Sequence, residues 1–299
     1  MKILLFGSNG QVGWELRRSL QLLGEVVALG RDDADFSKPE CLGAVIQNIN
    51  PDVIVNAAAY TSVDKAEQNE GLAEKINGFA PKVIADEAVK TNALLIHYST
   101  DYVFDGEQIS PYVEADAPGP VNVYGRTKLD GEMAIERSGC DYLIFRTSWV
   151  YSSRGSNFLN TIIKLAKERD ELSVVSDQYG APTWARNIAD ATALALIVVR
   201  QEREICKFES GVYHLCARGK TTWQGFSKAI IERLKQQSNP VSIITKSVLP
   251  IATEDYPLPA QRPTNSQLDT SAFMARFKLA MPEWQNAMNL CIDEILDVS

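Results

Sequence analysis

The chain has 299 residues, of which 45% are hydrophobic and 23% charged, a composition typical of one large globular domain or two unequal lobes. Its net charge of −8 argues against a nucleic-acid-binding surface, although a local basic pocket for phosphates is still compatible with it. The five cysteines are scattered without CxxC spacing, which argues against a disulfide framework or a zinc site and favours a reducing, cytoplasmic compartment. No stretch approaches the roughly 20 apolar residues of a membrane span, and the short apolar run at the N-terminus predicts a strand instead of a signal peptide.

Apolar runs alternate with helical patterns through the first half of the chain. Strands are predicted at 2–6, 26–29, 53–56, 94–98 and 142–146, and helices at 12–23, 41–49, 71–90 and 128–137. This alternation predicts right-handed crossovers and a parallel sheet covered on both faces. The fold class is therefore α/β, a doubly wound (Rossmann) parallel sheet with a smaller C-terminal α/β substrate lobe.

The second half of the chain is less regular. It contains helical patterns at 158–169, 187–199 and 222–236, separated by polar loops and a proline-rich stretch at 250–263. We predict a dinucleotide-binding domain at 1–147 and a discontinuous substrate lobe at 148–299. Segments at about 171–199 and 240–268 are expected to return to the first domain.

Three glycines, Gly7, Gly10 and Gly13, separate the first strand from the first helix in the pattern GxxGxxG. Small residues allow a tight turn and let backbone N–H groups approach a pyrophosphate at the helix N-terminus. The alternative is an ordinary strand-to-helix turn. The position directly after the first strand favours a dinucleotide site.

The end of the second strand bears on the choice of dinucleotide. A carboxylate there binds the ribose 2′-hydroxyl and favours NAD, but Gly30 and Arg31 occupy this position, and Arg31 can pair with a 2′-phosphate. Three aspartates follow closely, so the sequence favours NADPH while leaving NADH open. The alternative for Arg31 is a solvated surface side chain.

Tyr124 and Lys128 have the spacing YxxxK, which places both side chains on one face of a helix. A phenol with its usual pKa of about 10 is a weak acid at neutral pH. A nearby ammonium lowers that pKa, so that the tyrosine can exchange a proton with an oxygen on carbon. The spacing also occurs by chance, and the alternative is an exposed pair on a surface helix.

Four features follow one another in order: the glycine loop, the alanines at 57–59, Ser-Thr-Asp at 99–101, and YxxxK. In this order the whole chain resembles the extended short-chain dehydrogenase/reductase family, whose members mostly act on nucleotide sugars. More specific stretches resemble the members that reduce a dTDP-4-keto-6-deoxy sugar. They are FGSNGQVGWEL (6–16), VNAAAYTSVDKAE (55–67), HYSTDYVFDG (97–106), NVYGRTKLDGE (122–132), FRTSWVY (145–151), DQYGAPT (177–183), RP (262–263) and NSQLD (265–269).

The resemblance implies that a nicotinamide cofactor supplies hydride to the C4 carbonyl of a dTDP-sugar. Tyr124 would then give the proton, Lys128 would tune Tyr124 and hold the ribose, and Thr100 would bind the reacting oxygen. The implied cofactor-binding residues are Gly7, Asn9, Gly10, Gln11, Val12, Arg31, Asp35, Phe36, Ala57, Ala58, Ala59, Thr61, Tyr98, Tyr124 and Lys128. The implied substrate-binding residues are Thr100, Asp101, Tyr102, Trp149, Asn157, Gln178 and Arg262.

Other members of the family provide the alternatives. The dehydratases carry Thr-Asp-Glu where this chain has tyrosine at position 102, and the missing glutamate disfavours elimination. An epimerase or another dTDP-4-keto-6-deoxysugar reductase remains open, as does a dinucleotide-binding regulatory subunit without catalysis. Intact Thr100, Tyr124, Lys128 and Trp149 favour catalysis.

Some relatives form dimers bridged by Mg²⁺, and by resemblance Glu15 fits such a site. Arg186 stands where an acidic partner is expected, so the sequence predicts no metal ligand and a monomer or weak homodimer. His97 lies in the fourth strand and His214 in an apolar run, and without a paired ligand pattern both are interpreted as structural.

Overall fold

The computed structural model describes residues 1–236 and 243–297. Its strands are β1 (Lys2–Phe6), β2 (Glu25–Leu29), β3 (Val53–Asn56), β4 (Leu94–Thr100), β5 (Tyr142–Thr147), β6 (Val150–Tyr151), β7 (Glu171–Val175), β8 (Tyr179–Gly180), β9 (Thr183–Trp184), β10 (Gly211–His214), β11 (Thr221–Thr222) and β12 (Ser247–Ile251). Its α-helices are α1 (Gln11–Ser19), α2 (Leu42–Ile49), α3 (Val63–Gln68), α4 (Glu70–Glu74), α5 (Ala80–Thr91), α6 (Val123–Ser138), α7 (Phe158–Glu168), α8 (Ala185–Glu204), α9 (Trp223–Lys235), α10 (Ser271–Phe277) and α11 (Trp284–Asp297).

The central sheet has six strands in the order β10-β5-β4-β3-β1-β2, and all neighbours are parallel. From β1 the chain steps outward to β2 and then returns past β1 to β3, so the winding direction reverses between β1 and β3. A doubly wound sheet opens a crevice at the carboxyl ends of the strands at such a reversal point. The predicted α/β fold class is confirmed.

Both faces of the sheet are covered. Alternate residues of β1 face opposite sides: Ile3 and Leu5 join the core beneath α1, α8 and α10, whereas Leu4 and Phe6 join the core beneath α2 and α5. Because each strand contacts apolar side chains on both faces, it reads as a continuous apolar run in the sequence.

A third apolar core lies in the C-terminal half, where α7, α9 and α11 pack with β7. Within the segments expected to return to the first domain, α8 packs on α1, whereas β7 pairs with β12 outside the central sheet. The domain boundaries themselves stay a prediction. None of the helices in the described ranges is both long and apolar enough to cross a bilayer.

Two helices differ from prediction in ways that affect the site. The stretch predicted as one helix at 71–90 contains a π-helical turn, Lys75–Phe79, between α4 and α5. There the buried Asn77 side chain bonds the backbone N–H and C=O of Tyr60 and the hydroxyl of Thr127, which ties this helix to the cleft wall. Helix α6 begins at Val123, before the predicted start at 128, because the Asn122 side chain accepts a hydrogen bond from Gly125 N–H at 2.8 Å.

Candidate active site

A cleft of about 860 Å³ lies at the carboxyl ends of β1, β3 and β4. All fifteen residues predicted to bind cofactor line it, from Gly7 to Lys128. Five of the residues predicted to bind substrate also line it, namely Thr100, Asp101, Tyr102, Trp149 and Asn157. Gln178 and Arg262 lie outside this lining.

The turn between β1 and α1 requires glycine. Gly7 has φ +75°, and a Cβ there would lie 2.6 Å from the backbone of both Ala57 and Ala58. A Cβ at Gly13 would lie 2.1 Å from the Gly7 carbonyl oxygen. No side chain caps the N-terminus of α1, so its first backbone N–H groups are left for a ligand. An anionic pyrophosphate fits these donors.

The end of β2 forms one rim of the cleft. Arg31 is exposed there, whereas two of the neighbouring carboxylates are bound to the loop itself. Asp33 accepts from Gly30 N–H at 2.9 Å, and Asp35 accepts from the backbone and hydroxyl of Ser37, which lowers the pKa of Asp35. The loop therefore leaves the guanidinium of Arg31 accessible to a ligand that binds at this rim.

Helix α6 brings Tyr124 and Lys128 against the end of β4. Gly125 permits this approach, since a Cβ there would lie 2.0 Å from the Tyr102 carbonyl oxygen. Lys128 is 1% exposed. Its Nζ donates to the Tyr98 carbonyl at 2.5 Å and lies 3.2 Å from Nε2 of His97.

Burial controls the proton equilibria of this pair. It raises the pKa of Tyr124 to about 12, opposed in part by a hydrogen bond with Thr100, and it lowers the pKa of Lys128 to about 8. The sequence predicted a lowered pKa for the phenol. The structure differs because both groups are desolvated and the Lys128 ammonium is turned towards the backbone of Tyr98. Tyr124 is therefore protonated at neutral pH.

Asp101 organises the end of β4. One carboxylate oxygen accepts from the Thr100 hydroxyl at 2.9 Å, and the other accepts from the Ser148 hydroxyl at 3.0 Å. Burial raises the pKa of Asp101 to about 6 despite these bonds. The ring of Tyr102 packs edge-on against that of Tyr124, with centroids 5.8 Å apart. Asp101 thus fixes the hydroxyl of Thr100, which in turn reaches Tyr124.

Aromatic side chains line the far end of the cleft. The indoles of Trp149 and Trp223 stack with centroids 3.5 Å apart and planes 4° from parallel, and Phe158 packs on Trp223 at 4.6 Å. Trp149 has φ +47°, a left-handed conformation that costs a non-glycine residue about 1–2 kcal/mol. Sequence reasoning missed Trp223 and Phe158, because no pattern in the chain signals that they meet Trp149.

Gln178 lies behind this aromatic end. Its side chain accepts from Nε1 of Trp223 at 3.1 Å and donates to the Thr253 hydroxyl at 3.1 Å. In this position Gln178 orients Trp223.

Asn157 and Arg262 hold elements together around the cleft. Asn157 caps α7 and donates to the Gln11 side chain of the glycine loop at 3.0 Å. Arg262 forms a two-bond ion pair with Asp64 of α3, with nitrogen–oxygen distances of 3.0 and 2.7 Å. This pair lowers the pKa of Asp64.

Glu15 is 3% exposed and lies away from the cleft lining. The guanidinium of Arg186 binds Glu15 at 3.1 Å and also binds Glu294. Across 1–236 and 243–297, no group of three or more His, Cys, Asp and Glu side chains is arranged to hold a metal ion. A guanidinium therefore neutralises the carboxylate that the resemblance assigned to Mg²⁺.

The parallel sheet, the glycine turn and the Tyr124–Lys128 pair define the class of protein as a nucleotide-binding oxidoreductase of the short-chain dehydrogenase/reductase type. Residues 1–296 match the family model for the RmlD substrate binding domain. A relative from Burkholderia thailandensis, named dTDP-4-dehydrorhamnose reductase, is 50% identical over 296 residues, which is 99% of each chain.

Solved structures agree with this match. A dTDP-4-dehydrorhamnose reductase from Clostridium acetobutylicum superposes with a TM-score of 0.88 at 35% identity, over 99% of this chain and 100% of that one. The enzyme from Bacillus anthracis, solved in complex with NADP, has a TM-score of 0.86 at 32% identity, over 98% of this chain and 99% of that one. The chain belongs to the dTDP-4-dehydrorhamnose reductase family.

Proposed function

We propose that this protein uses NADPH to reduce the C4 carbonyl of dTDP-4-dehydro-L-rhamnose to dTDP-L-rhamnose, with Tyr124 as the proton donor. One observation carries the assignment of Tyr124. It is a buried phenol that is protonated at neutral pH, bonded to Thr100 and located in the same cleft as the glycine turn. Reduction of a ketone requires such a donor, because the oxygen gains negative charge as hydride arrives.

The cleft fits a nicotinamide dinucleotide. Gly7, Gly10 and the uncapped start of α1 would hold its pyrophosphate, and the small side chains of 57–59 let the backbone of β3 come close to it. Arg31 would pair with a 2′-phosphate, which supports NADPH over NADH. When bound, the cofactor supplies the hydride. The relative from Bacillus anthracis binds NADP, in line with this choice.

The residues of the chain supply the proton and the orientation. The hydroxyl of Thr100 donates to Asp101 in this structure and would bond the carbonyl oxygen beside Tyr124 by turning that proton towards the substrate. Tyr124 would transfer its phenolic proton to the developing C4 alkoxide. Lys128 would hold the ribose and set the electrostatics around the phenol. Trp149 would pack against the deoxysugar with its flat indole face.

The surroundings of the site support further proposals. We propose that residues 1–147 bind the cofactor and that 148–299 bind the sugar nucleotide, with Gln178 and Arg262 at its base and diphosphate. We also propose a cytoplasmic monomer or weak homodimer without Mg²⁺. All five cysteines are free, and Arg186 already neutralises Glu15 and Glu294.

The proposal is tested by mixing purified protein with NADPH and dTDP-4-dehydro-L-rhamnose and following the absorbance of reduced nicotinamide. We expect one NADPH consumed per keto sugar, and a loss of at least about 100-fold in kcat for Tyr124→Phe with unchanged NADPH binding. Tyr142→Phe, at a half-buried tyrosine of β5 outside the cleft lining, is the matched control. NADPH binding without consumption would sink the proposal and favour a regulatory subunit. A product with unchanged nicotinamide would indicate an epimerase.

A further inference from the structure

A short segment, 152–157, lies between two parts of the chain that form the aromatic end of the cleft. It follows β6, which Trp149 directly precedes, and it ends where Phe158 begins α7. Trp149 stacks on Trp223, and Phe158 packs on the same indole. The position of this segment therefore sets where the aromatic end lies relative to the rest of the cleft.

The side chain of Gln11, at the start of α1, bonds the chain on both sides of the segment. Its Oε1 accepts from Nδ2 of Asn157 at 3.0 Å, and its Nε2 donates to the carbonyl oxygen of Val150 at 3.4 Å. Gln11, Val150 and Asn157 all line the cleft. These two bonds join the helix that follows the glycine turn to the part of the chain that carries the aromatic end.

The direction of each bond is determined by its neighbours. Oδ1 of Asn157 accepts from the backbone N–H of Asn160, so the NH₂ group of Asn157 must face Gln11. An NH₂ group only donates, so the side-chain oxygen of Gln11 must face Asn157. The NH₂ group of Gln11 then faces the carbonyl of Val150, which only accepts. Both ends of the Gln11 amide are therefore matched to their partners, which an apolar side chain of the same size cannot reproduce.

Other contacts hold the outer side of the same segment. The hydroxyl of Ser153 donates to Glu294 of α11 at 2.7 Å, and the guanidinium of Arg154 lies 4.1 Å from the ring centroid of Trp14. Ser153, Arg154 and Trp14 lie outside the cleft lining. The Gln11 bonds differ from these contacts because they lie within the cleft, between the glycine turn and the aromatic end.

We propose that Gln11 is a positioning residue, whose side chain fixes the aromatic end of the cleft relative to the glycine turn. Both polar atoms of this side chain are bonded within the protein. The backbone of Gln11, at the uncapped start of α1, stays available to a pyrophosphate. Gln11 therefore has two separate roles, since its backbone faces the cofactor site and its side chain orients the opposite end of the cleft.

The consequence for catalysis rests on the proposed function. The glycine turn would hold the dinucleotide, and Trp149 would pack against the sugar. Hydride transfer needs these two ligands in a fixed relative position, and a displacement of about 1 Å costs on the order of 100-fold in rate. The Gln11 side chain is therefore expected to act on the relative position of the two ligands and not on the affinity for either one.

Gln11→Met tests the proposal, because methionine has a similar length but no N–H donor and only a weakly accepting sulfur. We expect kcat to fall about tenfold, whereas Kd for NADPH and KM for the sugar nucleotide each change by less than about twofold. Steady-state kinetics and fluorescence titration with NADPH measure these constants. The variant should keep its fold, since α1 packs on α8 independently of this side chain.

Ser153→Ala is the matched control, since it removes a bond from the same segment to α11 and should leave kcat unchanged. A wild-type kcat in Gln11→Met would overturn the proposal. A rise of Kd for NADPH in proportion to the fall of kcat would also overturn it, because the Gln11 side chain would then bind the cofactor.

A double-mutant cycle tests the bond between Gln11 and Asn157 without turnover. Asn157→Ser keeps a side-chain oxygen to cap α7 but removes the donor to Gln11. In urea denaturation, the double variant should lose less stability than the sum of the two single losses, because each single variant already breaks the same bond. Additive losses would overturn the proposal. If the wild-type protein binds NADPH but does not reduce the keto sugar, the proposed function and the catalytic consequence both fail, and the urea cycle still decides whether Gln11 holds the segment.

Discussion

The half of the cleft assigned to the dinucleotide is lined by residues that directly follow the strands of one parallel sheet, whereas the aromatic half is lined by side chains from separate loops and helices. Gly7 follows β1, Ala57 follows β3, and the Ser-Thr-Asp segment ends β4. Trp149 lies in the loop between β5 and β6, Phe158 begins α7, and Trp223 begins α9. The first half inherits its geometry from strand register, and the second depends on how the C-terminal elements pack.

The difference also appears in what each half tolerates. Around Gly7 the clearances are between backbone atoms, which cannot move without shifting β3. The aromatic half consists of stacked rings such as Trp149 and Trp223, whose contacts are between side chains, and side chains change rotamer at a lower cost than a shift of the backbone. A ligand is therefore expected to meet a rigid surface in the first half and an adjustable one in the second.

Among the variants that compare the two halves, Gly7→Ala is expected to have the largest effect, because it disturbs backbone contacts in the dinucleotide half, here called the rigid half. The new Cβ would lie 2.6 Å from the backbone of Ala57 and Ala58 at a φ that disfavours alanine. We expect the free energy of unfolding to fall by about 2–4 kcal/mol, and NADPH affinity to fall at least about tenfold. Urea denaturation and fluorescence titration with NADPH measure the two quantities.

Gly139→Ala separates backbone strain from steric clash. Gly139 has φ +80° at the end of α6, but a Cβ there meets nothing within 4 Å. This control should lose only about 1 kcal/mol of stability and keep its NADPH affinity. Equal losses in the two variants would mean that contact with β3 is not what requires glycine at position 7.

Trp223→Ala is expected to have the next largest effect, because it changes the aromatic half. It removes the indole that stacks on Trp149 and packs on Phe158, so the far wall of the cleft loses its shape. We expect KM for the sugar nucleotide to rise roughly tenfold, with NADPH affinity unchanged, since burial of an aromatic face contributes about 1–2 kcal/mol. Steady-state kinetics at saturating NADPH checks this.

The matched control for this variant is Trp14→Ala. Trp14 is exposed on α1 outside the cleft lining and contacts Arg17 and Arg154. It should leave both constants unchanged. If Trp223→Ala weakens NADPH as much as the sugar nucleotide, the two halves of the cleft do not act independently.

The same division explains what the sequence can predict. Strands β1 and β3 were predicted to the residue, because two-sided burial leaves an unbroken apolar run that ends in a glycine or a small polar residue. The residues that follow these strands could then be placed together, since parallel strands bring their carboxyl ends to one edge. YxxxK needed only helical periodicity to place Tyr124 beside Lys128.

Contacts made by packing between distant segments carry no such pattern. Nothing in the residues near Trp223 indicates that it stacks on Trp149, and Gln178 and Arg262 have roles that depend on Trp223 and Asp64. The pKa of Tyr124 was predicted in the wrong direction for a related reason. Helical spacing gives the distance between Tyr124 and Lys128 along α6, but burial and the Tyr98 carbonyl decide where the ammonium points.

The smallest expected effect is on NADPH affinity and concerns Arg31, at the outer rim of the dinucleotide half. Arg31→Ala removes an exposed guanidinium at the end of β2, leaving Asp33 and Asp35 bound to their own loop. If Arg31 pairs with a 2′-phosphate, Kd for NADPH should rise about fivefold to tenfold while Kd for NADH stays the same, as expected for a partly solvated ion pair of about 1 kcal/mol. The effect should shrink at high salt, because exposed charges are screened. Lys38→Ala, at a neighbouring exposed cation, controls for a general loss of positive charge. An equal rise of Kd for NADPH and for NADH in Arg31→Ala would show that the arginine supports the loop and does not bind the 2′-phosphate. A preference for NADPH would then have to come from other residues of the rigid half.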